Sequence, residues 1–220
     1  MAATLVALAA VLVLPLLYVA AAGRERCERG ALFADCLGLF ESYRVTQSGA
    51  GFPVLEGTFR GLPVKLEPVV DCVAWRKLPS LWLKVTLLEP NTVNATLDLL
   101  VRPQGVEFYS PSADLPYEVP LPAEWPQHAV LRTDDIGRMP KMCLLEPHMQ
   151  LFADERMKEL LVTPRGTRLV RQIAQAERSD YLVLRQARFT NARVAAATAA
   201  TLLDSLLAIS TSLNRAGATS

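Results

Sequence analysis

Two histidines, four cysteines and one adjacent pair of aspartates are the residues of this 220-residue chain most able to do chemistry. His128 and His148 stand in no triad, metal or kinase motif. Asp134 and Asp135 are neighbours, and adjacent side chains point apart in most backbones, so the pair is read as a solvated turn and not as a proton-sharing dyad. Cys27, Cys36, Cys72 and Cys143 are scattered without the close C-x-x-C pairs that bring two thiolates to one zinc ion. Cys143 and His148 supply two ligands where a tetrahedral site needs four, so core thiols are expected. The glycine-containing stretch Ser48-Gly49-Ala50-Gly51 is followed by Pro53 and a strand-like segment, not by the helix a phosphate loop requires. No catalytic, cofactor-binding or metal-binding residue is assigned, and no cofactor is expected.

The elements around these residues begin with an uncharged run from Ala2 to Gly23, followed at once by Arg24, Arg26 and Arg29. About 22 helical residues reach roughly 33 Å, enough for a hydrocarbon core of about 30 Å. The run is longer than the apolar core of a secretory signal and lacks a basic n-region. Ala20-Ala21-Ala22 nonetheless resembles a cleavage site, so a cleaved signal with an exported domain is the alternative. Basic residues beside a membrane helix favour the cytoplasmic side. The sequence therefore predicts a single-pass protein with its N-terminus outside and the remainder in the cytoplasm. The expected organisation is a transmembrane anchor over 1–23, a juxtamembrane segment over 24–41, one α+β domain over 42–214 and a tail over 215–220.

Within that domain, apolar and polar residues alternate between glycines from Val54 to Val69, with a turn at Arg60-Gly61. Leu81, Leu83, Val85 and Leu87 mark one face of a further strand, and residues 95–103 another. Trp82 falls on the opposite face, where a covering loop is the simplest expectation. Prolines cluster from 103 to 126, predicting extended loop with a short strand near 105–110. Residues 152–161 fit a short helix starting at Asp154, and 167–189 fit a hairpin bent at Glu177 to Asp180, although Leu169, Ile173 and Ala176 also fit a helix. The clearest helix after the first spans about 192–214, with Leu202, Leu206, Ile209 and Leu213 on one face and Asp204 on the wet side. The fold class is thus α+β: one N-terminal helix, an antiparallel-sheet-rich domain, a short helix and a packed C-terminal helix.

Basic and acidic residues nearly cancel, 23 against 22, which argues against a nucleic-acid partner. The charges are unevenly placed. Residues 89–124 carry six acids against Arg102, whereas 156–193 carry nine bases against three acids. The plain reading is dispersed, solvated charge with internal pairing between regions that face one another. The functional alternative is a basic surface over 156–193 that contacts anionic lipid. The sequence is best read as a non-enzymatic accessory domain held at the membrane through residues 2–23, binding a partner protein or the membrane surface. The alternative is a hydrolase of an envelope component using Asp134, Asp135, His128 or His148.

Overall fold

A computed structural model describes residues 2–72, 78–105, 107–178, 181 and 187–217. It is an α+β fold with one large antiparallel sheet and a few helices. Helix α1 runs from Ala2 to Gly30, and helix α2 from Ala196 to Gly217. The strands are β1 (Ser42–Thr46), β2 (Val54–Phe59), β3 (Leu62–Asp71), β4 (Ser80–Leu87), β5 (Leu97–Val101), β6 (Tyr117–Val119), β7 (Ala129–Thr133), β8 (Met157–Thr163) and β9 (Gly166–Gln175). Their spatial order is β1-β2-β3-β4-β9-β8-β5-β7-β6. The first four strands form a meander, and the β8–β9 hairpin inserts between β4 and β5.

Alternation fixes what each face carries, because successive side chains in a strand point to opposite sides. On one face lie Leu66, Leu83, Val85, Leu99, Leu160 and Leu169, all buried. Helix α2 covers this face against β4 and β9, and buries Leu202, Leu206, Ile209 and Leu213. Asp204 is on the exposed side of α2, where it pairs with Arg60 at 2.9 Å. By length and composition Ala196–Arg215 is apolar enough to cross a membrane, with a mean hydropathy of 1.4. Its apolar stripe is nevertheless occupied by the sheet. The end of α2 is tied down as well: Asn214 Oδ1 accepts from the Thr92 amide and Leu213 O from the Thr92 hydroxyl.

Four local expectations are corrected. Residues 152–161 are not a helix: a 3₁₀ segment ends at Ala153 and β8 begins at Met157. Asp154 turns the chain by accepting from the Arg156 amide, and the Pro164–Gly166 stretch turns β8 into β9. Gly166 has φ +155°, and an added Cβ would collide with the Leu87 carbonyl. Pairing to β5 on one side and β9 on the other overrides the local helical pattern. Strand β9 is likewise not an arm of the expected hairpin, since both its edges are taken by β4 and β8. Residues 179–180 and 182–186 of the expected hairpin lie outside the described residues. Near 105–110, residues 107–110 form a turn, and residue 106 is outside the described set. Helix α2 starts four residues later than expected, at Ala196; upstream of it Asn191 has a left-handed φ of 53° and gives its amide to Glu28.

Candidate functional site

Two places in this fold concentrate charge. The first is the end of α1. Val13, Leu14, Leu16, Leu17, Tyr18 and Val19 keep 49 to 75 % of their surface exposed, so among the described residues none packs closely around this stretch. From Arg24 onward the same helix is gripped. Arg26 donates to Gly49 O at 3.1 Å and Arg29 to Ala50 O at 2.8 Å, while Gln47 returns a bond to Arg26 O at 2.9 Å. On another side the Asn191 amide donates to Glu28 Oε1, and the Val194 amide to Leu32 O at 2.9 Å. Arg29 also stacks over Phe52, whose ring meets Phe189 edge-on at 6.0 Å. Leu32, Phe33 and Cys36 then enter the hydrophobic core directly after the helix. The exposed apolar helix therefore joins the domain without a flexible linker.

The second place is the polar face of the sheet, under residues 107–116. Lys158 pairs with Glu107 at 3.1 Å and Arg168 with Glu159 at 3.0 Å. A β-bulge between Met157 and Glu159 lets consecutive Lys158 and Glu159 serve the same face. Arg168 also donates to Tyr109 O, and the Tyr109 ring covers Trp82 at 5.9 Å between centroids. The acidic and basic regions of the sequence thus do meet. Asp98 is the unmatched acid of this layer. Arg132 stands opposite it on β7 but reaches outward to Glu118 at 3.2 Å. Burial and the neighbouring Glu159 carboxylate push the Asp98 pKa up to about 8, and the Ser112 and Ser110 hydroxyls only partly oppose this. Both causes favour the neutral form of Asp98. Trp82 Nε1, Asp98 Oδ1, Tyr109 Oη and Glu159 Oε1 are buried without a hydrogen-bond partner.

A protonated carboxyl beside a carboxylate is the raw material of acid–base chemistry, yet Asp98 and Glu159 are both at 0 % exposure and sealed from any substrate. An acid whose pKa rises on folding makes the folded state bind more protons than the unfolded state between about pH 4 and pH 8. Its contribution is complete below that window and is lost as pH rises through it. Asp98→Asn, which mimics the neutral acid, is expected to gain several degrees of melting temperature over the native chain as pH rises from 5 to 8.5. Thermal unfolding at the two pH values checks this; equal differences at both would show that Asp98 is not the titrating group.

The residues singled out from sequence are not brought together. Asp134 accepts from the Thr96 amide, and Asp135 caps the Gly137 and Arg138 amides, so both are turn residues. His128 is exposed. His148 Nε2 lies 3.0 Å from Ser212 Oγ, a histidine–serine contact. Ser212 Oγ also donates to Ala208 O one turn back, which leaves it to accept from the histidine. Burial pushes the His148 pKa down, which fits a neutral ring donating through Nε2. Of the expected core thiols only Cys36 is buried, its thiol pushed up to about 11 by burial; Cys27, Cys72 and Cys143 are exposed, which corrects that expectation for these three. Among the described residues no group of three His, Cys, Asp or Glu could hold a metal ion. An open cleft of ≈ 260 Å³ lies between α2 and the β8–β9 end, with the Asp154–Arg171 pair in its wall. Burial raises the Asp154 carboxyl, but the Arg156 amide and Arg171 outweigh it and hold it low.

Sequence reasoning missed Asp98, Lys158 and Glu159 as a cluster. The signal was available: a charge inside LDLLV and two inside MKELLV, both runs otherwise apolar enough to be buried on two faces.

No protein-family model matches this chain, and no curated protein matches it. Among solved structures, it is similar to the crystal structure of the mycobacterial trehalose monomycolate transport factor A, TtfA. That likeness has a TM-score of 0.36 and 12% sequence identity, and covers 73% of this chain and 70% of the other. At this level it carries neither a fold assignment nor a function to this chain.

Proposed function

We propose that this chain is a single-pass membrane protein whose residues 2–23 cross the bilayer and hold a non-catalytic α+β interaction domain at the cytoplasmic surface. The observation that carries this reading is the apolar belt of α1, which is exposed where nothing in the domain covers it and ends at three arginines. A helix that is hydrophobic all round needs an apolar surrounding, and a bilayer supplies one. Pro15 fits that setting, since membrane helices tolerate proline better than soluble ones do. Orientation follows from Arg24, Arg26 and Arg29 directly after the belt. The absence of an accessible catalytic constellation among the described residues is the reason for preferring a binding role, with a partner protein as the natural occupant of a tethered domain.

Topology is tested with exposed Cys143 as the reporter, after Cys27→Ser and Cys72→Ser. A thiol reagent that cannot cross membranes is expected to leave Cys143 unmodified in intact cells and to label it after lysis. Labelling in intact cells reverses the orientation and restores the exported-domain reading.

A further inference from the structure

The grip on the end of α1 sets how far the domain can stand from the bilayer. Counting from Gly23, Arg24, Arg26 and Glu28 lie about 1.5, 4.5 and 7.5 Å along the helix axis. The polar headgroup zone of one leaflet is about 5–8 Å deep. Arg26 is bonded to Gly49 and Glu28 to Asn191, so the 47–52 turn and the 189–194 segment are carried into or against that zone. A flexible linker would let the domain drift away, but Leu32 and Phe33 are locked in the core within a turn of the helix end.

The chemistry of this collar is unequal in sign. Arg24, Arg26, Arg29 and Arg193 face Glu25 and Glu28. Arg29 and Glu25 neutralise each other at 2.5 Å, and the Glu28 carboxylate accepts the Asn191 amide. Arg26 and Arg193 each have one nitrogen fixed on backbone carbonyls, Gly49 O for the first and Ala192 O for the second. A guanidinium has five donors, so fixing one nitrogen orients the group and leaves others for an oxyanion. By contrast Lys158, Arg168 and Arg171, from the basic 156–193 region, are committed to internal ion pairs.

We propose that the end of α1, with the 47–52 turn and the 189–194 segment, forms a collar that binds the phosphates of anionic phospholipids through Arg24, Arg26 and Arg193, fixing the orientation of the domain on the membrane. This rests on the reading of residues 2–23 as the membrane span. The collar acts by proximity: the span holds these guanidinia at headgroup depth, where even weak single contacts are occupied.

The test is hydrogen exchange of the full chain in nanodiscs of phosphatidylcholine alone or mixed with phosphatidylglycerol. Amides of 48–52 and 189–194 are expected to exchange several-fold more slowly in the anionic discs, and high salt is expected to remove the difference. The triple variant Arg24→Gln, Arg26→Gln, Arg193→Gln is expected to incorporate normally and to show no lipid dependence. Equal exchange in both lipids, or a lipid dependence that survives the triple variant, overturns the collar while leaving the span intact. A full chain that does not incorporate into discs overturns the span, and the collar with it. The single variant Arg24→Gln, at an exposed position, guards against misfolding of the triple variant and is expected to reduce the difference partway; no reduction counts against the proposal.

Discussion

Arg168→Met should be the most damaging single substitution on the polar face, costing about 3–5 kcal/mol of stability. The reason is what it leaves behind. The Glu159 side chain has no solvent exposure, and Arg168 bonds Oε2 at 3.2 Å through Nε and at 3.0 Å through Nη2. Without the guanidinium, a carboxylate stays buried beside Asp98 with no counter-charge, and the cover loses its bond to Tyr109 O. A domain of this size has a total stability of about 5–15 kcal/mol, so the loss is a large share. At about 2–4 °C per kcal/mol, the melting temperature should fall by roughly 6–20 °C. Thermal unfolding of the detergent-solubilised chain measures it. The double variant Arg168→Met, Glu159→Leu should recover much of the loss, because removing both charges removes the desolvation cost along with the attraction. A double variant no better than the single one would mean that the pair is not the source of the effect.

Leu206→Ala tests the other face and is expected to cost about 2–5 kcal/mol. Leu206 is fully buried on the stripe of α2 that lies over β4 and β9, with Leu202, Ile209 and Leu213 similarly enclosed. Truncation removes buried apolar surface and leaves a cavity that close-packed neighbours fill only in part. Ser205→Ala, one residue earlier, is the control. Its hydroxyl returns to the Thr201 carbonyl of its own helix, so the change should stay within about 0.5 kcal/mol. If both variants melt alike, α2 does not hold the sheet, and its apolar composition would call for a membrane or partner surface instead.

Residues whose pattern is local and repeated were legible from the sequence. The alternation in β2, β3 and β4, the Arg60-Gly61 turn and the apolar stripe of α2 all follow from one period, and the structure keeps each of them. The β8 region was not legible because its code is tertiary. Met157 to Thr163 is apolar enough for helix or strand, and only pairing with β5 and β9 decides between them. The polar cluster was hidden for the same reason. Asp98, Glu107, Lys158 and Arg168 come from four separate stretches, and nothing in a linear charge count says which side chains share a face. The grip on α1 was invisible too, since it is made by backbone carbonyls of Gly49 and Ala50 and by the amide of Asn191, groups that every residue carries.

The central claim is that residues 2–23 anchor the chain, and alkaline carbonate extraction of membranes from cells expressing it is the most direct measurement. The full chain should remain in the membrane pellet, and the double variant Leu14→Arg, Leu16→Arg should move to the soluble fraction, because a charged residue near the middle of a span costs about 2.5–3.5 kcal/mol on insertion scales. A full chain released by carbonate would contradict the anchor, and a double variant that stays in the pellet would transfer that role to Ala196–Arg215.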